Sequence, residues 1–254
     1  MLEILYEDQD IIVVVKPSGV ESQAARKFQP DMISAIKKHL VINKLCTPGK
    51  EPYVAVIHRL DKPVSGIMVY AKTKKAAAVL SEQVQKQDIE KTYMAVLCGK
   101  PVHNVDNYVD YLLKSVDENT SHVVEKGISG AKRAELSYEV VETVQMHEPA
   151  QGQKESLELT LVKIRLLTGR HHQIRVQFAS RGTPLYGDRR YQPEIVCGEQ
   201  HGLALCAVSL AFQHPVTKKR MSFSIKPSGG VFEKFLTVHN MEKSAHTICC
   251  IKEV

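Results

Sequence analysis

Apolar residues recur along the chain mainly in short β-branched or alternating runs, and such runs predict strands. Each run is bounded by turn-forming residues. We expect strands at residues 2–7, 10–16, 53–57, 64–71, 91–97, 134–144, 157–167, 203–210 and 221–225. Within residues 157–167 the apolar side chains change face after Leu161, which predicts a bulge near Val162.

Four segments predict helices from their apolar spacing or from capping residues. They cover residues 31–43, residues from an N-cap at Thr73 to about Gln87, residues 170–180 between a cap at Thr168 and Gly182 at the C′ position, and residues near 231–238. Residues 100–130 are weakly patterned and predict loop with short strands. Because strands outnumber helices and arrive unevenly, the pattern favours an α+β fold built on a large mixed sheet.

The composition is that of an ordinary globular protein of 254 residues, 43% of them hydrophobic and 24% charged. The longest strongly apolar run, residues 11–15, is far shorter than the ~20 residues of a membrane span. The N-terminal residues are acidic where a secretory signal is basic, so we expect a cytoplasmic protein with no membrane partner. Without any Cys-x-x-Cys pair, the cysteines predict free thiols in a reducing compartment. They are Cys46, Cys98, Cys197, Cys206, Cys249 and Cys250.

The excess positive charge is concentrated in one segment. Residues 158–190 hold seven basic and two acidic side chains, a net charge of +5, whereas the whole chain carries +6. Six of the seven are arginines, whose planar guanidinium matches phosphate geometry. A binding surface for a polyanion and a solvated face with internal ion pairs both agree with this clustering.

Three sequence clusters could carry chemistry. In the first, His-Arg-Leu-Asp at residues 58–61 follows one apolar strand, and a second strand leaves after a turn rich in Pro and Gly. This arrangement delivers the Asp61 carboxylate to a strand end, where clefts usually form. A salt-bridged turn aspartate is the alternative.

The second cluster is Leu-Thr-Gly-Arg-His-His-Gln-Ile-Arg-Val at residues 167–176, which we expect to open a helix whose N-terminus can bind an anion. Arg175, beside a carboxylate, would lower the pKa of that acid and keep it ionised. Adjacent histidines point apart on a helix, and no acid or cysteine spacing completes a metal site. The third cluster is Glu-Lys-Thr-Tyr at residues 90–93, where Tyr93 either belongs to the core or stacks on a base.

These clusters, in this order, resemble the RluA-type RNA pseudouridine synthases. The resemblance rests on His-Arg-Leu-Asp with Ser-Gly and Ala-Lys at residues 58–72, and on Thr-Gly-Arg-x-His-Gln-Ile-Arg-Val at 168–176. It is supported by the opening at residues 4–19, by Lys-x-Tyr at 91–93 and by Gly-Thr-Pro-Leu-Tyr-Gly-Asp at 182–188. In all it covers about residues 2–225.

The resemblance implies a single catalytic domain over residues 1–240 and a C-terminal tail over 241–254. The implied fold is a large, mostly antiparallel sheet flanked by helices and loops around a central RNA-binding cleft. The small helical RNA-binding module that some members carry in front is not expected. The implied activity is isomerisation of a specific uridine to pseudouridine in structured ribosomal or transfer RNA, by base flipping. No metal, cofactor or obligate protein partner is expected, and the enzyme should act as a monomer.

By position, the resemblance makes Asp61 the essential carboxylate, Arg175 its ion-pair partner and Tyr93 the ring against the target base. Arg59 corresponds to the arginine that fills the gap left in the RNA stack. Further substrate contacts are expected from His58, Arg170, His172 and Gln173. Three positions depart from the family pattern beside the inferred cleft and bear on substrate choice: Val64, His171 and Thr183.

The residue types fit this chemistry, because glycosidic cleavage needs an ionised carboxylate. Asp61 could add to the base, attack the sugar carbon or remove a sugar proton, and the sequence does not choose among the three. The target base must leave its stack at a cost of a few kcal/mol, which phosphate and stacking contacts can offset. Two alternatives have other chemistry. One is an RNA-binding or RNA-folding protein that does not need Asp61, and the other is a metal hydrolase using His58, His171 and His172.

Overall fold

The computed structural model describes residues 2–24, 30–115, 118–147, 156–191 and 202–241. Within these residues the fold is mixed α+β with a large, mostly antiparallel sheet, as predicted. The chain divides into two compact units, a first one formed by Met1–Glu90 with Ala207–Ile225 and a second one formed by Lys91–Cys206 with Lys226–Glu242. The predicted tail beyond residue 241 lies outside the described residues, as do Cys197, Cys249 and Cys250.

In chain order the strands are β1 (Glu3–Glu7), β2 (Ile11–Lys16), β3 (Ala55–Val56), β4 (Ser65–Ala71), β5 (Glu90–Cys98), β6 (Val105–Lys114), β7 (Ser121–Val124), β8 (Lys132–His147), β9 (Ser156–Leu166), β10 (Leu205–Gln213) and β11 (Arg220–Ser224). The helices are α1 (Met32–Ile42), α2 (Lys74–Lys86), α3 (Gln173–Ala179) and α4 (Leu236–Asn240), with a 3-10 helix over Gly230–Lys234. No described helix is both long enough and apolar enough to cross a membrane.

The first unit orders its strands β1-β2-β4-β10, with β11 paired to β10 and β3 paired to β4. The β-branched run of β2 is fully buried from Ile11 to Val14, as expected for a strand covered on both faces. Its core continues into β4, β10 and the buried face of α2, where Leu80 packs. Thr73 caps α2 as predicted, because its hydroxyl accepts a hydrogen bond from Ala76 N at 3.1 Å.

The second unit orders its strands β5-β9-β8-β6-β7, all antiparallel. Three aromatic rings meet in its core, with centroids 4.9 to 5.2 Å apart: Tyr108, Tyr138 and Phe178. The ten-residue strand β6 was not expected in the weakly patterned segment 100–130. Its alternation is masked in the sequence because the outward positions include the exposed, apolar Val105 and Val109.

The predicted bulge near Val162 lies on the neighbouring strand instead. Register with β5 is continuous along β9, whereas the β8–β9 register shifts so that Val140 faces Val162 and Glu142 faces Leu161. Val141 of β8 is therefore the extra residue. The apolar side chains of β9 appear to change face only because both faces are buried over Leu159–Val162.

Helix α3 begins at Gln173, three residues later than predicted, and has seven residues. His172 stands before it in the left-handed conformation, at φ 53°, which is incompatible with a continuous helix from residue 170. Thr168 does not cap the helix. The predicted helix near 231–238 is divided between the 3-10 helix and α4, with extended Phe235 between them.

Candidate active site

Asp61 lies on the loop between β3 and β4 of the first unit and is partly buried. The turn over residues 16–22 binds the main chain on both sides of Asp61. Its contacts are from Ser22 Oγ to the Leu60 carbonyl at 2.7 Å, from Leu60 N to Ser22 Oγ at 3.1 Å, from Ser18 Oγ to the Pro63 carbonyl at 2.7 Å and from Gly19 N to the Lys62 carbonyl at 2.8 Å. The backbone that carries the carboxylate is therefore fixed by an earlier segment of the chain.

Lys16 is fully buried beneath this loop. Its Nζ donates to three main-chain carbonyls, those of Val20 at 2.7 Å, Pro17 at 3.0 Å and Lys62 at 3.1 Å. Burial lowers the pKa of Lys16 to about 8, and the negative charges of Glu21 and Asp61 partly oppose that shift. An ammonium group thus acts electrostatically on Asp61 from within the same unit. Lys16 belongs to the opening motif at residues 4–19, but no role for it was predicted from the sequence.

His58 and Arg59 occupy different environments on the same loop. His58 Nε2 accepts a hydrogen bond from the Val69 backbone of β4 at 3.3 Å, so its ring fastens the loop to that strand. The Arg59 side chain is exposed. This placement leaves the guanidinium of Arg59 accessible to a nucleic acid.

In the second unit, Tyr93 lies on β5 opposite Ile164 of β9 and is 6% exposed. Tyr93 therefore belongs to the buried part of β5. Its predicted part in base stacking stays a prediction.

Gln173 holds the loop between β9 and α3. Its Oε1 accepts from Thr168 Oγ1 at 2.8 Å and from Arg170 N at 3.0 Å, and its Nε2 donates to the Glu135 carbonyl at 3.1 Å. Gln173 is only 3% exposed and stabilises this loop, and its predicted contact with substrate stays a prediction. Arg170 is exposed, and its Nε donates to the Arg133 carbonyl at 2.8 Å.

Arg175 is 5% exposed and binds Asp188 through two contacts, Nε to Oδ2 at 2.7 Å and Nη2 to Oδ1 at 2.6 Å. Asp188 Oδ1 also accepts from the backbone of Arg190 at 3.1 Å, and the Arg175 guanidinium lies 5.2 Å from the ring centroid of Tyr191. Sequence reasoning missed the role of Asp188, although the motif at residues 182–188 ends on it. The predicted ion pair between Arg175 and Asp61 stays a prediction.

His172 is buried and packs against His171, with ring centroids 3.8 Å apart. The expectation that these two side chains point apart is wrong, because His172 precedes the helix in the left-handed conformation. Its Nδ1 lies 2.9 Å from the hydroxyl of Tyr191, which accepts from Ser121 N at 2.8 Å and so can donate to the imidazole. Burial, and then the charge of Arg175, lower the pKa of His172 to about 3. His172 is therefore neutral near pH 7 and does not supply positive charge to a phosphate.

The basic segment 158–190 is partly neutralised by the fold. Ion pairs form between Lys163 and Glu139 at 3.0 Å, between Arg175 and Asp188 at 2.6 Å and between Arg181 and Asp110 at 2.9 Å. Four further arginines of the segment are exposed: Arg165, Arg170, Arg189 and Arg190. The surface available to a polyanion is thus smaller than the net charge suggests. Among the described residues, no group of three or more His, Cys, Asp or Glu side chains could hold a metal ion.

Comparisons with a family profile, with related sequences and with solved structures all point to the same family. The sequence profile of a family described as RNA pseudouridylate synthase matches residues 10–180. A relative from Zymomonas mobilis, named ribosomal large subunit pseudouridine synthase D, is 32% identical over 87% of this chain and 68% of that protein. One of the same name from Vibrio cholerae is 31% identical over 97% and 74%. The solved human RNA pseudouridylate synthase domain containing 1 shares the fold, with a TM-score of 0.67, 20% identity and 96% coverage of both chains.

Proposed function

Since the chain belongs to the RNA pseudouridylate synthase family, we propose that it converts a uridine of ribosomal RNA to pseudouridine with Asp61 as the essential carboxylate. The single observation that carries the assignment of Asp61 is the way its loop is held. The turn over residues 16–22 fixes the main chain on both sides of it, and the buried Lys16 ammonium acts on its charge. A carboxylate positioned in this way needs no rearrangement before it reacts.

The reaction conserves all atoms of the nucleoside. The bond between N1 of uracil and C1′ of the ribose breaks, the base turns, and C5 forms the new bond to C1′. The proton that C5 loses and the proton that N1 gains balance. Asp61 acts on this nucleotide by adding to the base, attacking the sugar carbon or removing a sugar proton, and Arg175 is its proposed partner cation.

Binding of the RNA divides among the other candidate residues. Tyr93 packs against the flipped base, and exposed Arg59 fills the position that the base leaves. The four exposed arginines of segment 158–190 contact phosphates. Gln173 holds the loop from which Arg170 extends, and His172 holds the turn that leads into α3, the helix that carries Arg175.

Ribosomal RNA of the large subunit is the proposed substrate class because two relatives above 30% identity carry that substrate in their names. The test is pseudouridine mapping of purified large-subunit RNA, small-subunit RNA and transfer RNA after incubation with the protein. We expect new pseudouridine in the first alone. If only transfer RNA were modified, the proposed substrate class would be wrong and the proposed reaction would still hold.

Asp61→Asn tests the proposed carboxylate. We expect no pseudouridine from this variant, with an RNA affinity within about twofold of the unmodified protein, because the amide keeps the shape and loses the charge. Asp88→Asn, at an exposed aspartate of the same unit, is the matched control and should turn over normally. Full activity of Asp61→Asn would overturn the assignment and favour an RNA-binding protein whose action does not need this residue.

A further inference from the structure

Among the described lysines, Lys16 and Lys91 have a pKa lowered by burial, and their surroundings differ. Lys16 has its Nζ within 3.1 Å of three carbonyl oxygens. Lys91, at the start of the second unit, is partly buried, and its ammonium forms no hydrogen bond or ion pair with any residue that the structure describes. A desolvated cation without a counter-charge is costly to a folded protein.

The ammonium of Lys91 lies beside the loop between β9 and α3. A Cβ placed on Gly169 would be 3.6 Å from Lys91 Nζ. The residues flanking this glycine are held by their own bonds, since Thr168 Oγ1 donates to Gln173 Oε1 and Arg170 N donates to the same atom. The loop therefore has a fixed shape next to Lys91 and presents the exposed Arg170 on the same stretch of chain.

Lys91 also shares a strand face with Tyr93. Alternate residues of a strand point to the same side and are about 7 Å apart. A nucleotide joins its base and its phosphate through one sugar, so a base that packs against Tyr93 brings its phosphate close to a side chain two residues away.

We propose that Lys91 binds the backbone phosphate of the flipped uridine, as a substrate-binding residue that positions the target nucleotide. This inference rests on the proposed function, in which Tyr93 packs against the target base. A phosphate supplies the full negative charge that no described residue provides to this ammonium, and such charge-assisted bonds are about twice as strong as neutral ones. The loop holding Gly169 lies next to the ammonium, since a Cβ at that position would be in van der Waals contact with Lys91 Nζ at 3.6 Å.

The experiment is a cycle between one protein variant and one chemical change in the RNA. Lys91→Met keeps the length of the side chain and removes its charge. An RNA carrying an uncharged methylphosphonate at the target nucleotide removes the charge of the phosphate. On natural RNA we expect Lys91→Met to lower kcat/KM roughly 10- to 100-fold, as for loss of one charged hydrogen bond. On the methylphosphonate RNA we expect less than about a twofold difference between Lys91→Met and the unmodified protein.

Three further measurements complete the test. Lys91→Arg should recover part of the loss, and the exposed Lys100→Met should show less than about a twofold loss on either RNA. The melting temperature of Lys91→Met should equal or exceed that of the unmodified protein, because a desolvated charge is removed. The proposal would be overturned if Lys91→Met lowered kcat/KM by the same factor on the natural and on the methylphosphonate RNA. It would also be overturned if the melting temperature of Lys91→Met fell together with its activity. Failure of the unmodified protein to make pseudouridine in any RNA would instead overturn the proposed function.

Discussion

Arg175 and Asp188 form a buried ion pair through two contacts of 2.7 and 2.6 Å, with both residues no more than 5% exposed. Removing either partner takes this bidentate contact away from a buried charge. We therefore expect Asp188→Asn and Arg175→Met each to lower the free energy of unfolding by about 3–5 kcal/mol. Urea denaturation of both variants and of the double variant measures this. The double variant should be destabilised by less than the sum of the two, and additive losses would contradict the pairing.

Because Lys16 has a lowered pKa, we expect the free energy of unfolding to depend on pH in the alkaline range. Its folded pKa of about 8 lies below the ordinary value of 10.5, so between these values the unfolded chain holds more protons than the folded chain. The free energy of unfolding should therefore rise with pH across that window because of this residue, by about 3 kcal/mol at most. Lys16→Met lacks this contribution.

The measurement is urea denaturation of Lys16→Met and of the unmodified protein at pH 7.5, 9 and 10.5. The difference in unfolding free energy should grow in favour of the unmodified protein as pH increases. Lys62→Met, at an exposed lysine on the Asp61 loop that packs over Lys16, is the control and should follow the unmodified protein. A constant difference for Lys16→Met would show that the ammonium is not desolvated.

The imidazole of His172 should not titrate near neutral pH, because its pKa is lowered to about 3. We expect its ring resonances to stay constant from pH 5 to 8 in nuclear magnetic resonance spectra, with His172→Gln used to assign them. As pH falls from 6.5 towards 3 the unfolded chain takes up a proton that the folded chain does not, so stability should decrease there. A titration of these resonances between pH 5 and 8 would contradict the buried placement of the ring.

We expect position 66 to accept no residue other than glycine. A Cβ there would lie 2.4 Å from the carbonyl oxygen of Ala207, and the φ angle is +129°. Gly127 has a similar angle, +102°, but nothing lies within 4 Å. Gly66→Ala should therefore cost about 2 kcal/mol more than Gly127→Ala, since only the former adds overpacking to backbone strain. Equal melting temperatures for the two variants would show that β4 and its neighbour do not approach this closely.

Most of the fold could be predicted from the sequence where burial and local pattern agree. The run in β2 and the cap of α2 by Thr73 are examples, since each depends on a few adjacent residues. Strand β6 could not, because Val105 and Val109 are apolar yet exposed, and exposure depends on which neighbours fold over a surface. The start of α3 was missed because a left-handed histidine leaves no trace in apolar spacing.

For the candidate site, too, some residues could be predicted from the sequence and others could not. Asp61 stands out in the sequence because a carboxylate follows a strand in a recurring motif. The roles of Lys16 and Asp188 depend on contacts with residues distant in sequence from them, such as Lys62 for the former. The sequence motifs that contain Lys16 and Asp188 could be recognised, but the hydrogen bonds and ion pairs that these residues form could not be predicted from them.

The discontinuity of the first unit constrains how the protein is made. β4, which follows the Asp61 loop, has β10 as a neighbour, and β10 enters this unit only at Ala207. A ribosome must therefore synthesise the whole of Lys91–Cys206 before the Gly66 end of β4 can be covered. During that interval the nascent chain presents an open sheet edge, a known route to aggregation. Truncated products ending before Ala207 should be captured by chaperones rather than accumulate as folded halves.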